Sequence, residues 1–165
     1  MDWAGSAHDR KGRETPMKLV ALGAGGMGRY AARTAVKFDF VDELVVADRD
    51  LGAASRCAEA LGPTARAAAV DVTDEAALLR LFAGAGAVLN TVGPFFRLGP
   101  PVLRAAITAG CHYLDINDDW ESTEAMLAMD ADARARHHRG DRHGRQPGDL
   151  QYARGHGVAR TRRSP

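Results

Sequence analysis

From Lys18 to about Arg134, short apolar runs alternate with longer stretches whose apolar residues recur at helical spacing. Lys18–Leu22 reads as a buried strand, Gly25–Phe38 as a helix and Glu43–Asp48 as a second strand. Leu51–Leu61 follows as an alanine-rich helix stopped by Gly62 and Pro63. Ala65–Asp71 gives a weaker third strand, and Asp74–Phe82 a short helix with Thr73 as its candidate N-cap. Ala87–Thr91 is the fourth strand, Pro100–Ala109 a helix with prolines at its start and Gly110 at its end, and His112–Ile116 the fifth strand. A last helix is expected from Ser122 to about Arg134. Strand and helix in strict alternation predict an α/β fold, a doubly wound and mostly parallel sheet of about five strands with helices on both faces.

The first strand runs into V-A-L-G-A-G-G-M-G, so that Gly23, Gly25 and Gly28 form a G-x-G-x-x-G turn between strand and helix. In a dinucleotide-binding turn the first glycine allows the tight bend, the second admits a pyrophosphate against the backbone, and the third lets helix pack on strand. Gly26 and Met27 complete the turn. A structural glycine turn is the competing reading, but the flanking strand and helix, and a second strand ending in Asp48, favour the nucleotide site. Asp48 stands where a carboxylate accepts hydrogen bonds from the adenosine ribose, which favours NAD. The adjacent Arg49 offers a guanidinium to the 2′-phosphate of NADP, so the choice between NAD and NADP stays open. Asp48, Arg49 and Asp50 also read as a plain polar loop in which Asp50 caps the next helix.

Composition changes the picture at the chain's end. The formal net charge of +1 averages two unlike segments, because residues 134–165 carry nine of the arginines, four of the six histidines and only two acids, Asp141 and Asp149. After about Arg136 periodicity stops, so residues 137–165 are expected to form a disordered basic tail, with nucleic acid an unfavoured partner that rests on the arginines alone. Residues 1–16 are polar, lack a secretory h-region and are expected to be a disordered extension before Met17. Cys57 and Cys111 are too far apart for a metal knuckle and suit a reduced, cytoplasmic protein. No run approaches the length of a membrane span.

Three separated elements occur in an informative order: the glycine turn, Asn90-Thr91-Val92-Gly93-Pro94 after the fourth strand, and Ala109-Gly110-Cys111-His112-Tyr113-Leu114-Asp115 leading into the fifth. Together, over residues 17–133, they resemble the saccharopine dehydrogenase-like family. The resemblance implies an NAD(P)-dependent oxidoreductase whose amino-terminal Rossmann domain, here residues 17–136, precedes a substrate domain. On this reading the chain is a fragment, inactive alone, that meets a small-molecule substrate only when a second domain is supplied. The lysine-free tail is what a GC-rich gene yields out of frame. Permissible codons from His137, read from the second base, give I-T-A-V-I-G-M-G-A-S-P-G-I-S-N, which is similar to the family's next strand and turn. Native information is accordingly expected to end near Arg136. A module that senses NAD(H) without turnover is the alternative from another class.

Within that frame Asn90, Thr91, Val92, Gly93 and Pro94 lie at the nicotinamide end of the crevice, where glycine and proline suit a flat ring and a fixed turn. Asp71 and Val72 border the adenine, or form an ordinary lead-in to the third helix. Phe96 reads as core or domain interface, with Phe95 open. Asp115, Asn117, Asp118 and Asp119 form an acidic cluster in which Asp118 or Asp119 caps the next helix. The resemblance places Asp115 facing the cleft, and no catalytic residue is assigned.

Overall fold

The computed structural model describes residues 16–140. The expected extension, apart from Pro16, and the tail beyond Gly140 lie outside the described residues. Five strands, β1 (Lys18–Leu22), β2 (Glu43–Asp48), β3 (Ala65–Ala69), β4 (Ala87–Asn90) and β5 (His112–Asp115), form a wholly parallel sheet in the order β3-β2-β1-β4-β5. Parallel neighbours need a crossover, and helices supply each one: α1 (Gly26–Ala35), α2 (Leu51–Glu59), α3 (Glu75–Phe82) and α4 (Phe95–Ala109). Helices α5 (Trp120–Leu127) and α6 (Asp130–Gly140) follow β5.

Side chains alternate across a strand, so β1, β2 and β4 feed two cores at once. Leu19, Ala21, Leu44 and Val46 pack with Ala32, Ala35, Ala54 and Cys57 under α1 and α2. Val20, Leu22, Val45 and Val88 pack with Leu78, Phe82, Val102 and Ala106 under α3 and α4. The same alternation explains why these strands read as continuous apolar runs: both of their faces are covered.

Helix starts are set by aspartates. Asp50, Asp74 and Asp119 accept hydrogen bonds from the backbone N–H groups of Ala53 (3.1 Å), Ala77 (2.9 Å) and Ser122 (3.1 Å) at the heads of α2, α3 and α5. Asp74 therefore replaces Thr73 as the cap of α3, because a carboxylate gains more than a hydroxyl from the positive end of a helix. Thr73 instead donates through its N–H and hydroxyl to Asp71 Oδ1. Gly110 ends α4 in the left-handed region at φ 74°, as the sequence suggests.

Two expectations fail. Helix α4 begins at Phe95, not Pro100, and runs through Pro100 and Pro101. The prolines cannot donate to the carbonyls of Phe96 and Arg97, yet the helix continues because its buried face, Gly99, Val102, Leu103, Ala105 and Ala106, spans the interruption. The single last helix is in fact two. Met129 N–H bonds Met126 O at 3.1 Å, a tightened turn, and Met129 O then accepts from Ala133 N–H, with Asp130 and Asp132 favouring a new helix start.

Candidate functional site

The strand order reverses between β2-β1 and β1-β4, which opens a crevice above the carboxyl ends of β1 and β4. The glycine turn sits in that crevice. Gly23 has φ +97°, donates its N–H to Ala47 O at 2.8 Å, and would place a Cβ 2.6 Å from Thr91 Oγ1. A Cβ on Gly28 would lie 2.0 Å from Gly23 O, so α1 rests directly on the turn. Gly25 and Gly26 behave in the opposite way, since an added Cβ would meet nothing within 4 Å. Gly25 is the N-cap of α1, and no side chain caps the helix. The first-turn N–H groups of Gly26, Met27 and Gly28 have no acceptor within the helix, and open space lies beside Gly25 and Gly26.

Asp48 closes the turn from β2. Its Oδ2 accepts from Ala24 N–H at 2.7 Å and its Oδ1 from Asp50 N–H at 3.0 Å, which binds the acidic end of β2 to the second residue of the glycine motif. Arg49 is exposed beside it. The charge of Arg49 also reaches Asp71, whose carboxyl is held below its ordinary pKa mainly by the two Thr73 bonds and in part by Arg49. The side chain of Val72 turns into the core beneath α3 and α4.

The loop after β4 is pinned from both sides. Asn90 is fully buried, donates through Nδ2 to Tyr113 Oη at 3.0 Å, and accepts from Val92 N–H at 3.0 Å. Thr91 donates to Leu22 O through both its N–H (3.0 Å) and its Oγ1 (2.7 Å), which fastens the loop to the end of β1. Gly93 and Pro94 are exposed, joined by a cis peptide bond, and Pro94 leads into α4. Thus Gly23, Gly25, Gly26, Gly28, Asp48 and Asn90 to Pro94 converge on one end of the sheet. Sequence reasoning omitted Ala24 and Tyr113. Ala24 acts through its backbone, which no side-chain pattern announces, and the partner of Tyr113 depends on the register that sets Val88 beside it.

Other candidates resolve into structural roles. Phe96 is 55% exposed, so it is not core, and Phe95 O accepts from Ser122 Oγ at 3.2 Å. In the acidic cluster Asn117 accepts from Asp119 N–H, Asp119 caps α5, and Asp115 Oδ1 accepts from Asn117 N–H at 3.2 Å. Asp115 Oδ2 is buried with no hydrogen-bond partner. Among the described residues no group of histidine, cysteine and acidic side chains could hold a metal ion, and no helix is long and apolar enough to cross a membrane. Cys57 and Cys111 are free and buried, and burial pushes both thiols above their ordinary pKa.

Comparison with known proteins agrees with this geometry. Residues 19–140 match the model of the saccharopine dehydrogenase NADP binding domain. A probable mitochondrial saccharopine dehydrogenase-like oxidoreductase of Arabidopsis thaliana is 35% identical over 123 residues, which are 67% of this chain and 27% of that protein. Apo saccharopine dehydrogenase (L-Glu forming) from Saccharomyces cerevisiae superposes with a TM-score of 0.60 at 22% identity, over 70% of this chain and 24% of that one. A UDP-N-acetylglucosamine 3-dehydrogenase from Acidithiobacillus ferrooxidans gives 0.53 at 27% identity, over 73% and 36%. The chain spans about a quarter of the length of the saccharopine dehydrogenase relatives. With the motif, the sheet order and the family match in agreement, the chain belongs to the saccharopine dehydrogenase NADP-binding domain family and is an NAD(P)-binding Rossmann domain.

Proposed function

We propose that the chain holds the dinucleotide across the β1–β4 switch point and supplies the cofactor half of an oxidoreductase. The observation that carries this is the contrast within the glycine turn. Gly23 and Gly28 are glycines because neighbouring atoms leave no room, whereas Gly25 and Gly26 face open space in which a pyrophosphate can reach the first-turn N–H groups of α1. Asp48 holds the turn shut through Ala24, and each of its oxygens keeps a lone pair for the ribose hydroxyls. The Asn90–Pro94 loop, fixed by Leu22 and Tyr113, bounds the nicotinamide end. The nicotinamide, when bound, supplies the hydride chemistry, and the protein supplies position.

The substrate's walls are proposed to come from other parts of a longer protein, with residues 17–136 the cofactor domain and no turnover by this chain alone. Its two reduced thiols suit the cytoplasm. A module that senses NAD(H) without turnover uses the same site, and a change in binding on adding a partner protein separates it from the oxidoreductase reading.

Titration calorimetry with NAD and NADP tests the site. Gly25→Val should abolish binding of both while leaving the fold intact, because its side chain enters empty space. Asp48→Ala should weaken NAD selectively. Undiminished binding by a folded Gly25→Val protein would remove the turn as the phosphate site.

A further inference from the structure

The loop from Asn90 to Pro94 is held at both ends by β5 and α5, which follow it in the chain. At its start Asn90 has no exposed surface, and both ends of its amide are taken: Oδ1 accepts from Val92 N–H at 3.0 Å, and Nδ2 donates to Tyr113 Oη at 3.0 Å. Tyr113 stands on β5 beside Val88, half-buried against the core under α3 and α4. At the loop's far end α4 begins with Phe95, directly after Pro94, and the Phe95 carbonyl accepts from Ser122 Oγ of α5 at 3.2 Å. Ser122 is 1% exposed, although serine ordinarily meets water. Gly99 makes room for it: an added Cβ there would come within 3.2 Å of both Ser122 Oγ and Met126 Sδ, so the bare backbone of α4 lets α5 come close.

Removing either hydroxyl has a defined consequence for the loop. Without Tyr113 Oη, the buried Nδ2 of Asn90 loses this acceptor, and the amide is free to turn and release Val92 N–H. Without Ser122 Oγ, the first turn of α4 loses this tie to α5, and the Gly93–Pro94 corner that leads into it is free to shift. Gly93 and Pro94 are the exposed part of the loop, so they are what a bound ring would meet. We infer that Tyr113 and Ser122 are positioning residues for the nicotinamide: they clamp the two ends of the loop, act on the ring only through it, and set how tightly the nicotinamide half of a dinucleotide is held. On the dinucleotide reading above, on which this inference rests, the pyrophosphate is anchored separately, at the glycine turn between β1 and α1. The clamp therefore acts on one half of the ligand.

Titration calorimetry of the full chain reads that difference when each dinucleotide is set against the same ligand without its nicotinamide, NAD against ADP-ribose and NADP against 2′-phospho-ADP-ribose. Tyr113→Phe and Ser122→Ala each delete one hydroxyl and keep the carbon atoms that pack, and thermal denaturation checks the fold. The parent should bind the dinucleotide more tightly than its shortened counterpart. Each variant should lose about threefold to tenfold in dinucleotide affinity and keep its affinity for the shortened ligand, and the double variant should bring the two affinities together. Equal losses for both ligands would make the hydroxyls structural supports and overturn the clamp, as would a variant that fails to fold. Unchanged affinities, or a selective loss in one variant alone, would overturn it too. A parent that binds the two ligands equally would overturn the clamp and leave the glycine turn as the phosphate site, whereas a parent that binds neither would overturn the dinucleotide reading itself.

Discussion

The two sides of the switch point are finished to different degrees. On the β1–β2 side the start of the turn and the end of β2 find partners inside the domain: Asp48 meets Ala24 and Asp50, and Gly23 meets Ala47. On the β5 side, among the described residues, a buried oxygen of Asp115 has no partner, β5 pairs only with β4, and Leu114, Ile116 and Trp120 are 44%, 41% and 74% exposed. The first side is a closed turn with open space beside Gly25 and Gly26. Among the described residues the second leaves apolar surface and a strand edge uncovered.

The largest effect should come from breaking the finished side. Gly28→Ala drives a Cβ into the Gly23 carbonyl at 2.0 Å, and backbone cannot move aside as a flexible side chain can. A loss of about 3 kcal/mol or more is expected, roughly 10 °C in Tm, together with loss of dinucleotide binding. Thermal denaturation beside Gly25→Val separates the two roles: one glycine supports the fold, the other the ligand. Equal Tm values for the two variants would erase that distinction.

Next in size is the lock within the β4–β5 half. Asn90→Ala deletes the acceptor of Val92 N–H and the donor to Tyr113, and should cost about 2 kcal/mol, with Tyr113→Phe costing about 1 kcal/mol. Urea denaturation of both singles and the double measures the coupling. Additive losses would show that the Asn90–Tyr113 bond contributes nothing.

On the open side, Leu114→Lys should change stability little but reduce self-association, because a lysine on an edge strand opposes pairing with another edge. Light scattering against protein concentration checks this. Unchanged scattering would place any association elsewhere.

The fold was legible from the alternation because β1, β2 and β4 are covered on both faces and so carry uninterrupted apolar runs, while Asp50 and Gly110 mark helix ends by their own chemistry. The start of α4 was not legible. Pro100 and Pro101 carry a strong local signal for a helix start, and it is overridden by a buried face that only the packed sheet reveals. Within the site, Gly23, Gly25 and Gly28 could be read from spacing, but why each is glycine could not. Spacing gives no clearance, and clearance separates the two that support the turn from the one that faces open space.

The smallest predicted effect bears most directly on the contrast between the halves. Asp115→Asn keeps the oxygen that accepts from Asn117 N–H and replaces the buried oxygen that has no partner. If nothing bonds Oδ2 within the domain, the exchange removes no hydrogen bond, and stability should change by less than about 1 kcal/mol. The same substitution on the finished side, Asp48→Asn, forces an amide nitrogen against a backbone N–H at one of two occupied oxygens, and should cost about 1–3 kcal/mol. Parallel urea denaturation of the two variants measures the difference. A loss at Asp115 as large as that at Asp48 would show that Oδ2 is bonded in solution, and that both halves of the sheet are equally complete.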